Sequence, residues 1–336
     1  MSIIEDPVLV QAVLLSLGIS SLVWVLSITT KNYSIVDRLW SLLPVFFVYF
    51  FAFGQCAQND SAFKATSPLA LLHSLCDLAR ANPRVVLQCI LSTIWGVRLT
   101  FNYARKGGYA IGAEDYRWDH VRSTMSTFSF HVLNLVFTSF IQVALLFALA
   151  LPAYVAARTP SPLSALDIVA TTAFALFLFI EALADEQQWQ FYALRSQCVS
   201  KTKEKTVAEP SAAAVADARR GFQTSGLFAW SRHPNFVAEV SLWWSFAALG
   251  ACSLLSARSQ HAVAAQQSVG VEQGIFLSAV ALCFAGALSL TLLFHKSTEL
   301  TEKISAQKYP EYKAYVAAVP RLIPLPVARS PVFSSN

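Results

Sequence analysis

Charge is what this chain has least of: Asp, Glu, Lys and Arg together make up 13% of its 336 residues, where a soluble domain carries about 25%. That scarcity excludes an ordinary water-facing surface. The six cysteines include no Cys-x-x-Cys pair and no Cys/His ligand spacing, so neither a zinc site nor a thioredoxin-type dithiol is indicated and no metal is expected. Glycine is sparse at 12 residues. No internal repeat is visible, which argues against a transporter made of duplicated halves. Zinc-finger, helix-turn-helix and RNA-binding signatures are absent, so the net charge of +5 calls for no nucleic-acid partner.

What the chain has instead is apolar length, with 55% hydrophobic residues and a mean hydropathy of +0.49. Windows able to cross about 30 Å of hydrocarbon lie near 8 to 28, 36 to 53, 85 to 101, 128 to 151, 163 to 183, 236 to 255 and 272 to 294. The expectation is an all-α, polytopic membrane bundle of about seven helices forming a single membrane domain over 1–336. Glu5 and Asp6 precede the first apolar segment in place of a basic n-region, so it reads as a retained span and not a cleaved signal peptide.

Loop charge orients the bundle. Alternating the spans puts Lys31, Arg38, Arg105, Lys106, Arg117, Arg122, the basic residues of 195–232 and those from Lys296 on together on one side, leaving Lys64, Arg80, Arg84, Arg158 and Arg258 on the other. The positive-inside tendency then makes the N-terminus lumenal or exterior and the C-terminus cytosolic, as in a protein of the endoplasmic reticulum membrane. Cys56 and Cys76 fall in a lumenal loop at 54–83, where a disulfide can persist and two free thiols are the alternative. Residues 200–220 join a charge run to an Ala-rich tract and read as a flexible cytosolic insertion, and 256–270 look similar on the opposite face.

The most informative stretch is Gly226-Leu-Phe-Ala-Trp-Ser-Arg-His-Pro-Asn-Phe-Val-Ala-Glu239. Pro234 suits the first turn of a helix that runs into the membrane. Asn235 and Glu239 are four apart and share a face continued by Trp243. Arg232 and His233 sit just outside the positive helix end, where an anion is favoured. Singly, each residue reads equally well as an interfacial anchor or a helix-end acid. Converging at the mouth of an apolar segment, they are costly unless partners or a ligand satisfy them. Asp37 and Arg38 open the second span as an adjacent opposite pair, Arg98 ends the third, and Glu181, Asp185 and Gln188 share a face of the fifth.

These residues carry a resemblance. The 226–239 stretch with Trp243-Trp244, together with Asp37-Arg-Leu-Trp40, Trp95-Gly-Val-Arg98, Gly107-Gly108, Glu114-Asp-Tyr-Arg-Trp118, Ala184-Asp185-x-Gln-Gln188 and the tail Tyr312-x-x-Tyr315 followed by Val-Pro320-Arg-Leu-Ile-Pro324, resembles the DUF1295 branch of the steroid 5α-reductase-like membrane proteins over about residues 34 to 325. The resemblance implies an intramembrane reductase that takes hydride from NADPH and delivers it to a carbon–carbon double bond conjugated to a carbonyl, in an apolar lipid or sterol-like substrate. Carried over, the cofactor residues are Arg98, Asp185, Arg232, His233, Asn235 and Glu239. Steroid 5α-reductases place a carbonyl-polarising Tyr three residues before the Arg corresponding to Arg98, and this chain has Trp95 there. Its indole N–H donates a hydrogen bond but has no proton to transfer, so Tyr103, Tyr116 and Asp37 become the catalytic candidates.

The alternative is an S-adenosylmethionine-dependent membrane methyltransferase like the isoprenylcysteine enzymes, which also show Arg-His-Pro before a helix, a similar tail, and an acidic pair where Glu299 and Glu302 stand. Asn235 with Glu239 separates the two, since the methyltransferases tend to have Ser and Gly there. The orientation is directly testable. A C-terminal tag is expected to be digested by protease added to intact microsomes while a tag inserted near Asn59 is protected, and the reverse pattern would move the 232–239 corner to the lumenal side.

Overall fold

The computed structural model describes residues 5–59, 81–200, 210–262 and 269–323, and among these the regular structure is helical. The helices are α1 (Pro7–Thr30), α2 (Leu43–Asn59), α3 (Pro83–Arg105), α4 (Arg117–Thr124), α5 (Thr127–Leu133), α6 (Gln142–Leu149), α7 (Leu151–Arg158), α8 (Ala165–Ser200), α9 (Ala212–Arg220), α10 (Pro234–Ala262), α11 (Val269–Lys308) and α12 (Tyr312–Ala318). Six stretches are long and apolar enough to cross a membrane, Pro7–Thr30, Pro83–Arg105, Thr127–Arg158, Ala165–Cys198, Pro234–Gln260 and Gln273–Lys308, and a shorter apolar helix covers Leu43–Gly54. The expected count of about seven is close to this. The chain divides into two compact units, Met1–Phe174 with Trp243–Leu290, and Ala175–Leu242 with Thr291–Asn336.

In the first unit, charge and caps lock one set of span ends. Asp6 accepts from the Val8 N–H at 3.0 Å, takes the Tyr154 hydroxyl at 2.8 Å and pairs with Arg158. Asn82 caps α3 in the same way and donates to the Ala156 carbonyl at 2.8 Å. Pro7 and Pro83 follow these caps, at positions where a helix needs no N–H. Arg84, wholly buried, grips Asp167 through Nε at 2.7 Å and Nη2 at 2.9 Å, and its remaining donors reach Ser161 Oγ and the Pro162 carbonyl. Arg84 and Arg158, placed together by loop charge, thus both serve as ties between span ends.

The opposite ends of the first unit are joined more lightly. Ser41 and Thr100 share a hydroxyl hydrogen bond of 2.7 Å, and Trp40 Nε1 donates to Gln142 Oε1 at 3.2 Å. A Cβ at Gly96 would lie 2.8 Å from the Ser41 carbonyl oxygen, so glycine there is what lets α2 and α3 approach. The fourth span continues beyond the expected 151 to Arg158 and is not uniform. A π-helical segment, Asn134–Ile141, separates α5 from α6, and Pro152 sits in the first turn of α7.

Two loop expectations change. The Ala-rich half of 200–220 is ordered as α9: Ser211 caps it through the Ala214 N–H, Gly221 ends it at φ 98°, and Asp217 accepts from the Thr224 and Ser225 N–H groups at 2.9 and 3.0 Å. Alanine's helix propensity and these two caps outweigh the low-complexity composition that suggested flexibility. Likewise α10 runs to Ala262, into the stretch read as a loop from 256. The Cys56 side chain and Cys76 lie outside the described residues.

Removing one partner of a buried ion pair strands the other, so Arg84→Ala is expected to cost about 3 to 5 kcal/mol. Thermal unfolding in detergent should show this as a large fall in Tm. Arg84→Met with Asp167→Leu, which removes both charges, should recover most of it.

Candidate functional site

The Arg-His-Pro corner of the second unit is built up from a glycine. Gly226 has φ 64°, and a Cβ on it would lie 2.5 Å from Gln187 Oε1. Its absence lets Gln187, from α8, accept the Leu227 N–H at 2.9 Å. One turn of 3-10 helix, Gly226–Ala229, follows, and the Trp230 and Ser231 N–H groups both return to the Leu227 carbonyl. Ser231 Oγ accepts the His233 N–H at 3.2 Å, and Pro234 starts α10.

Glu302 on α11 is the centre of this corner. It accepts Arg232 Nε at 2.7 Å and Nη2 at 3.1 Å, lies 3.0 Å from His233 Nε2, and takes Arg321 Nε at 3.2 Å. Arg232 Nη1 donates to the carbonyls of Val316 and Val319, and the Arg232 N–H reaches the Pro320 carbonyl at 3.0 Å. Ser231 Oγ donates to the Arg321 carbonyl at 3.2 Å. Four of the five N–H donors of the Arg232 guanidinium are therefore spent on Glu302 and the tail. The anion that the sequence led one to expect near Arg232 is here a side chain of the protein itself. His233 is drawn to the same carboxylate, and its ring lies 5.6 Å from that of Phe236.

The tail is held by aromatics as well as charge. Phe222, Tyr312 and Tyr315 form a buried cluster, and the Tyr315 hydroxyl donates to the Phe228 carbonyl at 2.6 Å. Burial pushes the Tyr315 hydroxyl pKa well above the ordinary range for tyrosine.

The remaining cofactor candidates are divided between the units. Asp185 on α8 and Glu239 on α10, each 5% exposed, belong to the second unit with half-buried Asn235. Arg98, on α3, belongs to the first. Trp95 is fully buried, and its ring meets that of Trp243 edge-on at 4.8 Å.

The catalytic candidates all lie in the first unit, where two sequence motifs converge. Asn32 Nδ2 donates to the Ala113 carbonyl at 2.8 Å, the Tyr33 N–H to Glu114 Oε1 at 2.8 Å, and the Asp115 N–H to Ser34 Oγ at 2.9 Å. Arg38 turns to the carbonyls of Ala110 and Ala113, which ties the two segments together. Tyr103 packs edge-on to Tyr109 at 4.9 Å, over a turn in which any Cβ at Gly108 would strike its ring. Tyr116 is 59% exposed. Burial raises the carboxyl pKa of Asp37 against the lowering pull of Ser34 and Arg117, and the residue is partly exposed.

Gln187 and Glu302 were missed as parts of the corner. Gln187 lies one residue from the Asp185/Gln188 face, and Glu302 lies one turn beyond Glu299 on the charged end of an otherwise apolar helix. Nothing in the sequence pairs either with 227–233. Tyr315→Phe is expected to cost about 1 to 2 kcal/mol by leaving the Phe228 carbonyl unmet. Because the folded pKa is raised, the hydroxyl's contribution is complete below the unfolded value of about 10 and is lost as pH rises towards the folded one. Thermal unfolding from about pH 8 to 11 should show the gap between wild type and Tyr315→Phe closing at the alkaline end.

No solved structure matches the chain. A protein of Schizosaccharomyces pombe (strain 972), described as uncharacterized, is 36% identical over 317 residues, covering 94% of this chain and 79% of the relative. The family model "protein of unknown function (DUF1295)" matches residues 23–269, and the chain belongs to the DUF1295 family.

Proposed function

We propose that this membrane protein is a reductase that uses NADPH to saturate a carbon–carbon double bond conjugated to a carbonyl in an apolar lipid or sterol-like substrate. The observation that carries this reading is the buried carboxylate of Glu239 on the second turn of α10, with Asn235 one turn before it. Buried acids in an apolar helix are retained where a partner or ligand satisfies them. Asn235 and Glu239, with Asp185 on α8, offer a carboxamide and acceptors of the kind that hold a nicotinamide amide and ribose hydroxyls. Bound NADPH would supply the hydride. The Glu302 knot orients α10 and leaves the phosphates to donors other than the Arg232 guanidinium.

Purified protein in detergent is expected to be stabilised by NADPH and not by S-adenosylmethionine, since a ligand that binds only the folded state raises its apparent stability. Glu239→Ala and Asn235→Ala should each weaken NADPH binding by roughly one to two decades while the protein stays monodisperse. With cofactor deuterated at the nicotinamide 4-position, deuterium should appear in the reduced product from a panel of enones and enoyl lipids. Stabilisation by S-adenosylmethionine alone would replace the reductase with a methyltransferase.

A further inference from the structure

The π-helical segment of the fourth span leaves two polar atoms without partners inside the first unit. Asn134 and Thr138, 1% and 0% exposed, carry an amide oxygen and a hydroxyl that meet no hydrogen-bonding atom. Buried groups of this kind are rare enough that each demands a cause. The orientation of the amide follows from its neighbour on α1. The Ser27 hydroxyl donates to the Trp24 carbonyl at 2.8 Å, so Ser27 Oγ can only accept, and it accepts Asn134 Nδ2 at 2.8 Å. Asn134 Oδ1 is thereby turned away from Ser27, as an acceptor in need of a donor.

Thr138 arrives at the same state by another route. A helical threonine ordinarily settles its hydroxyl on the carbonyl four residues back, here that of Asn134. In the π-helical geometry that carbonyl takes the hydroxyl of Ser139 instead, at 2.9 Å. Thr138 Oγ1 stays open, one turn from Asn134 Oδ1 on the same face. π-segments cluster at functional sites, and this one presents a lone acceptor beside a group that can donate. An O–H fits both at once, donating to the amide and accepting from the threonine.

We propose that Asn134 Oδ1 and Thr138 Oγ1 form a subsite for the hydroxyl of a lipid alcohol dissolved in the bilayer. The inference rests on the reading that the protein takes an apolar lipid, and it specifies that the ligand carries a hydroxyl. The pair lies within the Thr127–Arg158 span, roughly 10 to 17 Å from its Thr127 end at about 1.5 Å per residue. A membrane-dissolved molecule is therefore the natural occupant, and a single buried water is the rival source of the same hydrogen bonds.

The test uses the full chain in detergent, with a 3-hydroxysteroid and a linear polyprenol each compared with its O-methyl ether, which accepts but does not donate. Wild type is expected to bind at least one alcohol about tenfold or more tightly than its ether, and Thr138→Val to lose that preference while remaining folded. Equal binding of alcohol and ether by wild type, or a preference that survives Thr138→Val, overturns the subsite and leaves water as the occupant. Should Thr138→Val not fold, the wild-type comparison decides alone, and Thr138→Ser is expected to keep the preference. NADPH stabilisation is measured alongside: an alcohol preference without it keeps the subsite and removes the reductase, whereas NADPH binding without a preference does the reverse.

Discussion

A carboxylate taken out of water stays ionised only where its partners are already in place, because desolvation costs several kcal/mol and poor geometry does not return it. Glu302 meets that condition by collecting Arg232, His233 and Arg321 on one carboxylate. The three belong to the loop before α10 and to the C-terminal tail, so the entry angle of α10 and the docking of the tail are one event. Asn235 and Glu239 inherit their positions from it. The first unit has its counterpart in Arg84, whose five donors bind α8 and the loop before it to the start of α3.

This arrangement changes how the Arg-His-Pro motif works. A cationic loop at a helix N-terminus invites an anion from outside, and here the anion is a side chain of the protein itself. The motif is then a corner brace that aims the next two turns. Beyond it on the same helix stand Asn235 and Glu239, which are not part of the brace. The same logic separates the candidates of the first unit. Arg38 turns to loop carbonyls and Tyr116 faces outward, while Asp37 is partly exposed beside Ser34.

Much of this was legible in the residues. Apolar length placed the starts of most spans to within a few residues, while several helices run well beyond the expected ends, since a helix in hydrocarbon must satisfy its own backbone and needs a minimum run to do so. Pro234 marked a helix start, while the caps Asp6 and Asn82 before Pro7 and Pro83 emerged only with the structure. Other features left no local trace. The π-segment at 134–141 looks like any apolar run, because its register depends on what Asn134 and Ser139 find to bond. The Ala-rich tract at 212–220 read as low complexity, and Asp217 made it a capped helix by bonding residues seven and eight positions on.

The sequence by itself determined that the chain is a helical membrane protein, where its spans begin, and that polar groups gather around 226–239. Those are local matters of hydropathy, proline geometry and spacing. Only the tertiary structure decided that Arg232 turns inward to Glu302 and the tail, that Gln187 and not its neighbour Gln188 receives Leu227, and that Asn134 Oδ1 and Thr138 Oγ1 are left without partners. The physical reason is that a hydrogen bond or ion pair is a property of two groups. Its direction is set by residues far apart in the chain, 107 positions for Asn134 and Ser27, whose proximity no window of sequence contains.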